Sequence, residues 1–146
     1  MKIKHLFGLF LLMLAASPVI QASPESKPFA QEHIVLQISD PNPFKQTLVL
    51  NVAGNLLKYY GQDKVDVEIV AFGPGLRLLM AKNANKGRIK GLADSGVQFS
   101  ACQNTIKNFT KKLGEKPKLN PMAHEVAAGV VRIIELENKG YKLIKP

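Results

Sequence analysis

The chain has 146 residues, the size of one compact domain, and 46% of them are hydrophobic, 21% charged and 7% aromatic. With one cysteine and no tryptophan, that composition excludes a two-domain enzyme, a disordered chain, a disulfide framework and an aromatic-rich binding face. The 20 basic and 11 acidic residues give a formal net charge of +9, but the lysines are scattered, so a solvated surface is expected and no nucleic-acid partner.

Residues 1–22 have the layout of a secretory signal peptide: Lys2, Lys4 and His5 precede an apolar run over 6–16, followed by Ser17, Pro18 and the small residue Ala22. The run is far shorter than the roughly 20 residues of a membrane-spanning helix, so no membrane insertion is expected after processing. Cleavage is expected after Ala22, with Ala16 as a second position, and delivery to the periplasm or the outside follows. Processing removes two lysines and no acid, so the basic bias persists. Residues 23–32, with Pro24 and Pro28, read as a flexible leader.

The domain proper is expected over 33–146. Residues 33–38 are mostly β-branched and apolar and end at Ser39-Asp40-Pro41-Asn42-Pro43, which predicts a buried first strand running into a loop. Leu48, Val49, Val52, Ala53, Leu56, Leu57 and Tyr60 recur at helical spacing before Gly61, predicting a helix with a glycine stop. Residues 65–72 start with period-two alternation and become continuously apolar, a second strand before the tight turn Gly73-Pro74-Gly75. Short helices are expected over 76–80 and 88–94. Residues 96–102 form the third strand, and Asn104, Thr105 and Ile106 open a helix that runs to Gly114. A very short fourth strand is expected at 125–127, an apolar helix over 130–136 and a closing strand over 141–144.

This alternation predicts an α/β domain: a doubly wound, mainly parallel five-stranded sheet with helices on both faces. Ligands of such sheets bind beyond the carboxyl ends of the strands, where the winding reverses. With strand order 2-1-3-4-5 the reversal falls between the first and third strands. It would gather Asp40 and Asn42, Gly73 and Gly75, and the Cys102-Gln103-Asn104-Thr105 joint into one crevice.

Cys102, the only cysteine, lies where a strand hands over to a helix. Unpaired amides and the positive end of a helix dipole favour thiolate over thiol, so this position suits a nucleophile; a buried, inert cysteine is the plainer alternative. Asn104 or Thr105 is expected to cap the helix. The helix lysines Lys107, Lys111 and Lys112 read as a solvated face. His33 and His124 stand isolated in sequence, no paired Cys/His spacing exists, and neither a metal nor a cofactor is expected. Gly73-Pro74-Gly75 is too short for a phosphate cradle, and the loop after the first strand lacks the hydroxyl- and glycine-rich character of a flavin phosphate site. With neither a nucleophile–base–acid set nor a resolving cysteine, enzymatic turnover is left open.

Four segments in one order carry a family resemblance: S-D-P-N-P at 39–43, V-D-V-E-I-V-A-F-G-P-G at 65–75, G-V-Q-F-S-A-C-Q-N-T at 96–105 and A-G-V-V-R-I-I-E-L-E-N-K-G-Y-K-L-I-K-P at 128–146. Together they resemble the DsrE/DsrF-like family in its exported, single-domain branch. The resemblance implies the same α/β fold and frequent assembly into homo-oligomers, trimers or hexamers. It also implies thiol-based sulfur carriage or a sulfurtransferase-type relay, with Cys102 as the persulfide-bearing residue and donor and acceptor proteins as partners. A non-catalytic small-ligand binding or oligomeric interaction module is the alternative.

Overall fold

The computed structural model describes residues 27–146; the expected signal peptide and the first residues of the leader lie outside the described residues. The elements are β1 (Glu32–Ile38), α1 (Pro43–Tyr60), β2 (Val65–Ala71), a 3₁₀ helix (Gly73–Leu79), α2 (Lys86–Asp94), β3 (Gln98–Cys102), α3 (Gln103–Leu113), β4 (Ala123–Val126), α4 (Gly129–Asn138) and β5 (Lys142–Ile144). They form the expected doubly wound α/β domain, with every strand pairing parallel.

The strand order is β4-β3-β2-β1-β5, which corrects the order 2-1-3-4-5. Alternation of strand and helix dictates right-handed crossovers but not which neighbour each strand takes. Here β1, β2, β3 and β4 are laid down in one direction, and α4 then carries the chain back to the free edge of β1. The reversal therefore falls between β1 and β5, and β2 separates β1 from β3.

Side-chain alternation gives the sheet two unlike faces. Ile34, Leu36 and Ile38 of β1, Val67, Ile69 and Ala71 of β2, and Phe99 and Ala101 of β3 enter the main core, with Val49, Leu50 and Ala53 of α1 and Ile106 of α3. The opposite face packs Val35 and Val70 against Ile133 and Leu136 of α4 and against Tyr141. It also buries His33's neighbour Asp66, with Glu68 and Ser100. A parallel strand normally reads as a hydrophobic run because both faces are covered; Asp66 and Glu68 in β2 break that rule and need partners.

Several boundaries differ from expectation for local reasons. Helix α1 begins at Pro43, because the Asn42 side chain accepts from the Phe44 amide at 2.9 Å and proline occupies the first turn without losing a helix bond. Helix α1 consequently buries Gln46, Val49, Leu50 and Ala53, while Leu48 and Tyr60 face outward. Glycines 73 and 75 belong to the 3₁₀ helix rather than to an isolated tight turn. From Lys27 onward the expected flexible leader is tied down. Its Nζ donates to the carbonyls of Gln62, Val65 and Ser95, and its amide to Asp66.

Gly75 passes so close to β1 that an added Cβ would lie 2.3 Å from the Ile38 carbonyl oxygen, backbone that cannot step aside. Gly75→Ala is expected to cost about 1–3 kcal/mol by overpacking. Gly54, inside α1 with nothing within 4 Å of its would-be Cβ, gives the opposite sign. Gly54→Ala is expected to add about 0.5–1 kcal/mol by helix propensity. Urea unfolding of the two variants beside the parent checks both; equal effects would refute the close-approach argument.

Candidate functional site

Cys102 is the last residue of β3 and the N-cap residue of α3. Across the ladder it pairs with Val126 of β4, from which two residues lead to Gly129, the first residue of α4. Ala101 enters the main core, so Cys102, next along the strand, looks to the α4 face. The thiol is free and 5% exposed, at the carboxyl edge of the sheet.

Two helix starts converge on the sulfur. The backbone amides of Asn104 and Thr105 come from the first turn of α3, the Gly129 amide comes from α4, and the Thr105 hydroxyl joins them. Burial works against ionisation, but the Thr105 hydroxyl and the Gly129, Thr105 and Asn104 amides outweigh it, so the thiol pKa lies below its ordinary value. Helix starts supply this field because their first amides have no intrahelical acceptor.

The capping expectation is corrected. No side-chain oxygen caps α3; Thr105 sits in the first turn, and its Oγ1 accepts from the Gly73 amide at 2.8 Å. Gly73, at φ 52°, takes a backbone conformation that favours glycine. Gly129 packs so tightly that an added Cβ would stand 2.9 Å from the Cβ of Phe72, which seats the start of α4 at the end of β2.

Asp40 and Asn42 do not join this site. Both follow β1, and with β2 interposed they stand two strand spacings, roughly 10 Å, to the side. Asn42 caps α1, and Asp40 accepts from the Asn42 amide at 2.8 Å and pairs with Lys45 at 3.4 Å. The Asn42 amide, ahead of Lys45, holds the Asp40 carboxyl below its usual range. Asp40 instead lines a small cleft of about 150 Å³ beside Lys45 and Lys145, at the true reversal between β1 and β5. Of the expected crevice residues, the fold brings together Cys102, Asn104, Thr105 and Gly73; Gly75 packs against β1.

A buried polar cluster escaped the reading of the sequence. Glu68 of β2 receives a two-pronged contact from Arg132 of α4, Nε to Oε1 at 2.8 Å and Nη2 to Oε2 at 2.7 Å. Ser100 of β3 donates to Glu68 Oε1. Having spent its one hydrogen there, Ser100 Oγ accepts from His124 Nε2 at 2.8 Å. His124 is thus isolated only in sequence. Burial lowers its pKa, Glu68 opposes and Arg132 assists, leaving the ring neutral at pH 7. The available signal was the alternation of Asp66 and Glu68 in an otherwise apolar strand, because carboxylates there require a partner. Among the described residues no group of three or more His, Cys, Asp or Glu side chains could hold a metal ion.

A comparison with protein-family models finds no match, and a comparison with curated protein sequences finds no significant one. Solved structures do match. The chain is similar to MTH1491 of Methanobacterium thermoautotrophicum, described as a protein of unknown function, at 25% identity and a TM-score of 0.70 over 79% of this chain and 99% of that one. It is similar to the ychN protein of E. coli at 14% identity and a TM-score of 0.61 over 79% and 99% of the two chains. The conserved protein of unknown function BT1422 of Bacteroides thetaiotaomicron matches at 16% identity and a TM-score of 0.53, over 79% and 95%. These likenesses establish the class, a small parallel α/β domain, and carry no activity with them.

Removing the Thr105 hydroxyl should raise the thiol pKa. Thr105→Val is expected to slow alkylation of Cys102 about two- to tenfold near neutral pH, the worth of one hydrogen bond, with convergence at high pH where both thiols are ionised. Because the folded-state pKa is depressed, ionisation favours folding. Stability should rise with pH between the folded and the ordinary thiol values, be fully gained above the latter and be lost as pH falls through the former. Chemical unfolding across that window should show the rise in the parent and its disappearance in Cys102→Ala.

Proposed function

We propose that this protein is an exported, thiol-based sulfur carrier of the DsrE/DsrF-like type, in which Cys102 accepts sulfane sulfur and passes it to a second thiol. One observation supports the reading above all: the sulfur faces amides from two helices and the Thr105 hydroxyl, and these outweigh burial and lower the thiol pKa from its ordinary value. The pattern of residues 1–22 supports delivery to the periplasm or the outside.

The chemistry balances without an outside oxidant. The Cys102 thiolate attacks the terminal sulfur of a donor persulfide R–S–SH. A new S–S bond forms as the donor's S–S bond breaks, R–S⁻ departs with the electron pair, and Cys102 holds S–SH. Attack by an acceptor thiolate on the outer sulfur reverses the sequence and returns the Cys102 thiolate. Amides that steady the thiolate steady it again as the leaving group in the second transfer. A single cysteine suits this task, since no second thiol in the chain can trap the persulfide as an internal disulfide.

A second reading, a non-catalytic binding or assembly module, is favoured by a different observation. Val130, Val131 and Ile134 on the outer side of α4 are each about half exposed, an apolar patch of the kind that marks interaction surfaces. Incubation with a persulfide donor followed by intact-mass measurement separates the two. Carriage predicts an added mass of one sulfur atom on the parent, absent from Cys102→Ser and discharged by a small thiol. An unmodified parent across several donors, with oligomerisation or ligand binding unchanged in Cys102→Ser, would leave the binding module standing.

A further inference from the structure

We propose that Arg132 is a positioning residue for Cys102: its two-pronged hold on Glu68 fixes the first turn of α4 where the Gly129 amide meets the sulfur. The inference rests on the reading of Cys102 as a working thiolate and adds to it what holds one of the amides in place.

The geometry is continuous from the sheet to the sulfur. Arg132 belongs to the turn that begins at Gly129, and its own amide closes that turn by donating to the Ala128 carbonyl at 2.9 Å. Its side chain reaches down to Glu68 near the middle of β2, where both carboxylate oxygens are occupied. Both residues are buried. Helix α4 therefore has a fixed point one turn from the amide in question. The two other restraints are less directional: Ile133 and Leu136 make apolar contacts, which tolerate sliding, and Gly129 rests on Phe72. A planar fork on a buried carboxylate sets both the rotation and the height of the helix.

Among the described residues, Glu68 on β2, His124 on β4, Glu135 on α4 and Tyr141 are the ionisable groups around the guanidinium, with Glu135 at 3.6 Å. A charge effect of Arg132 on the thiol must be separated from a positional one, and the two predict opposite signs when Glu68 is altered. Neutralising Glu68 removes a negative charge on β2, opposite Gln98 and four residues along β3 from Cys102, so a purely electrostatic role can only lower the thiol midpoint in Glu68→Gln. Loosening α4 predicts a higher one, in Glu68→Gln and in Arg132→Gln alike.

The test is the pH profile of iodoacetamide alkylation of Cys102 in the parent, Arg132→Gln, Arg132→Lys and Glu68→Gln proteins. Expected is a depressed midpoint in the parent and higher midpoints in both glutamine variants. Each should alkylate about three- to tenfold more slowly below the midpoint, the loss of one amide contact. Arg132→Lys, which keeps the charge and one contact, should fall between parent and Arg132→Gln; if the glutamine variant does not fold, Arg132→Lys against the parent decides, a raised midpoint supporting the positioning role and an unmoved one overturning it. A depressed parent midpoint with unmoved variants, or a lower midpoint in Glu68→Gln, would overturn the role of Arg132 and leave the thiolate reading intact. An ordinary midpoint in the parent would overturn that reading itself, and the positioning role with it.

Discussion

A carboxylate in the middle of a central strand has few ways to exist, and Glu68 dictates how the second face of this sheet is closed. Strand β2 has a neighbour on each side, so water cannot reach its side chains from the edges. Glu68 is 1% exposed and takes hydrogen bonds from Arg132 and Ser100. Among the described residues only one helix, α4, lies over this face with its apolar residues seated in the core, and only Arg132 supplies the compensating charge. The last crossover of the fold is thereby held at one rotation.

Such a pair is a weak source of net stability, because removing two charges from water costs about what their attraction returns. An apolar replacement of matching volume could cover the face as well. What an apolar contact cannot do is distinguish one helix rotation from another one residue away, whereas a fork on a carboxylate can. Position matters here because α4 starts over the end of β2, two residues beyond the strand that flanks Cys102. The ion pair, the glycine seated on Phe72 and the sulfur thus lie along one line of structure.

The sequence made the elements legible wherever a pattern has one physical meaning. The apolar runs of β1, β2 and β3 and the glycine stops at Gly61 and Gly114 located strands and helix ends to within a few residues. The start of α1 was obscured because Asp40-Pro41-Asn42-Pro43 reads equally as loop and as cap, and only the Asn42 contact to Phe44 decides between them. Strand order was illegible, since neighbour choice depends on which faces match after folding. That is why Asp40 and Asn42 were expected beside Cys102, whereas Asp40 lines the cleft with Lys145 and Asn42 caps α1. Cys102 itself was readable from its place at a strand-to-helix joint. The Gly129 amide was not, because it arrives from the opposite face and from 27 positions later in a separate helix.

Low exposure at Cys102 bears on what the thiol can meet. At 5% exposure Cys102 is buried at the sheet's carboxyl edge, out of reach of a broad protein surface. The connection from Val126, the ladder partner of Cys102, lines a cleft of about 230 Å³ together with Glu125, Arg132 and Glu135. On the carrier reading, burial limits loss of the persulfide to bulk solvent, the amides stabilise its anion, and a partner needs to offer only one extended thiol. Burial and activation, which oppose each other in the ionisation of the free thiol, then act in the same direction once the sulfur is loaded.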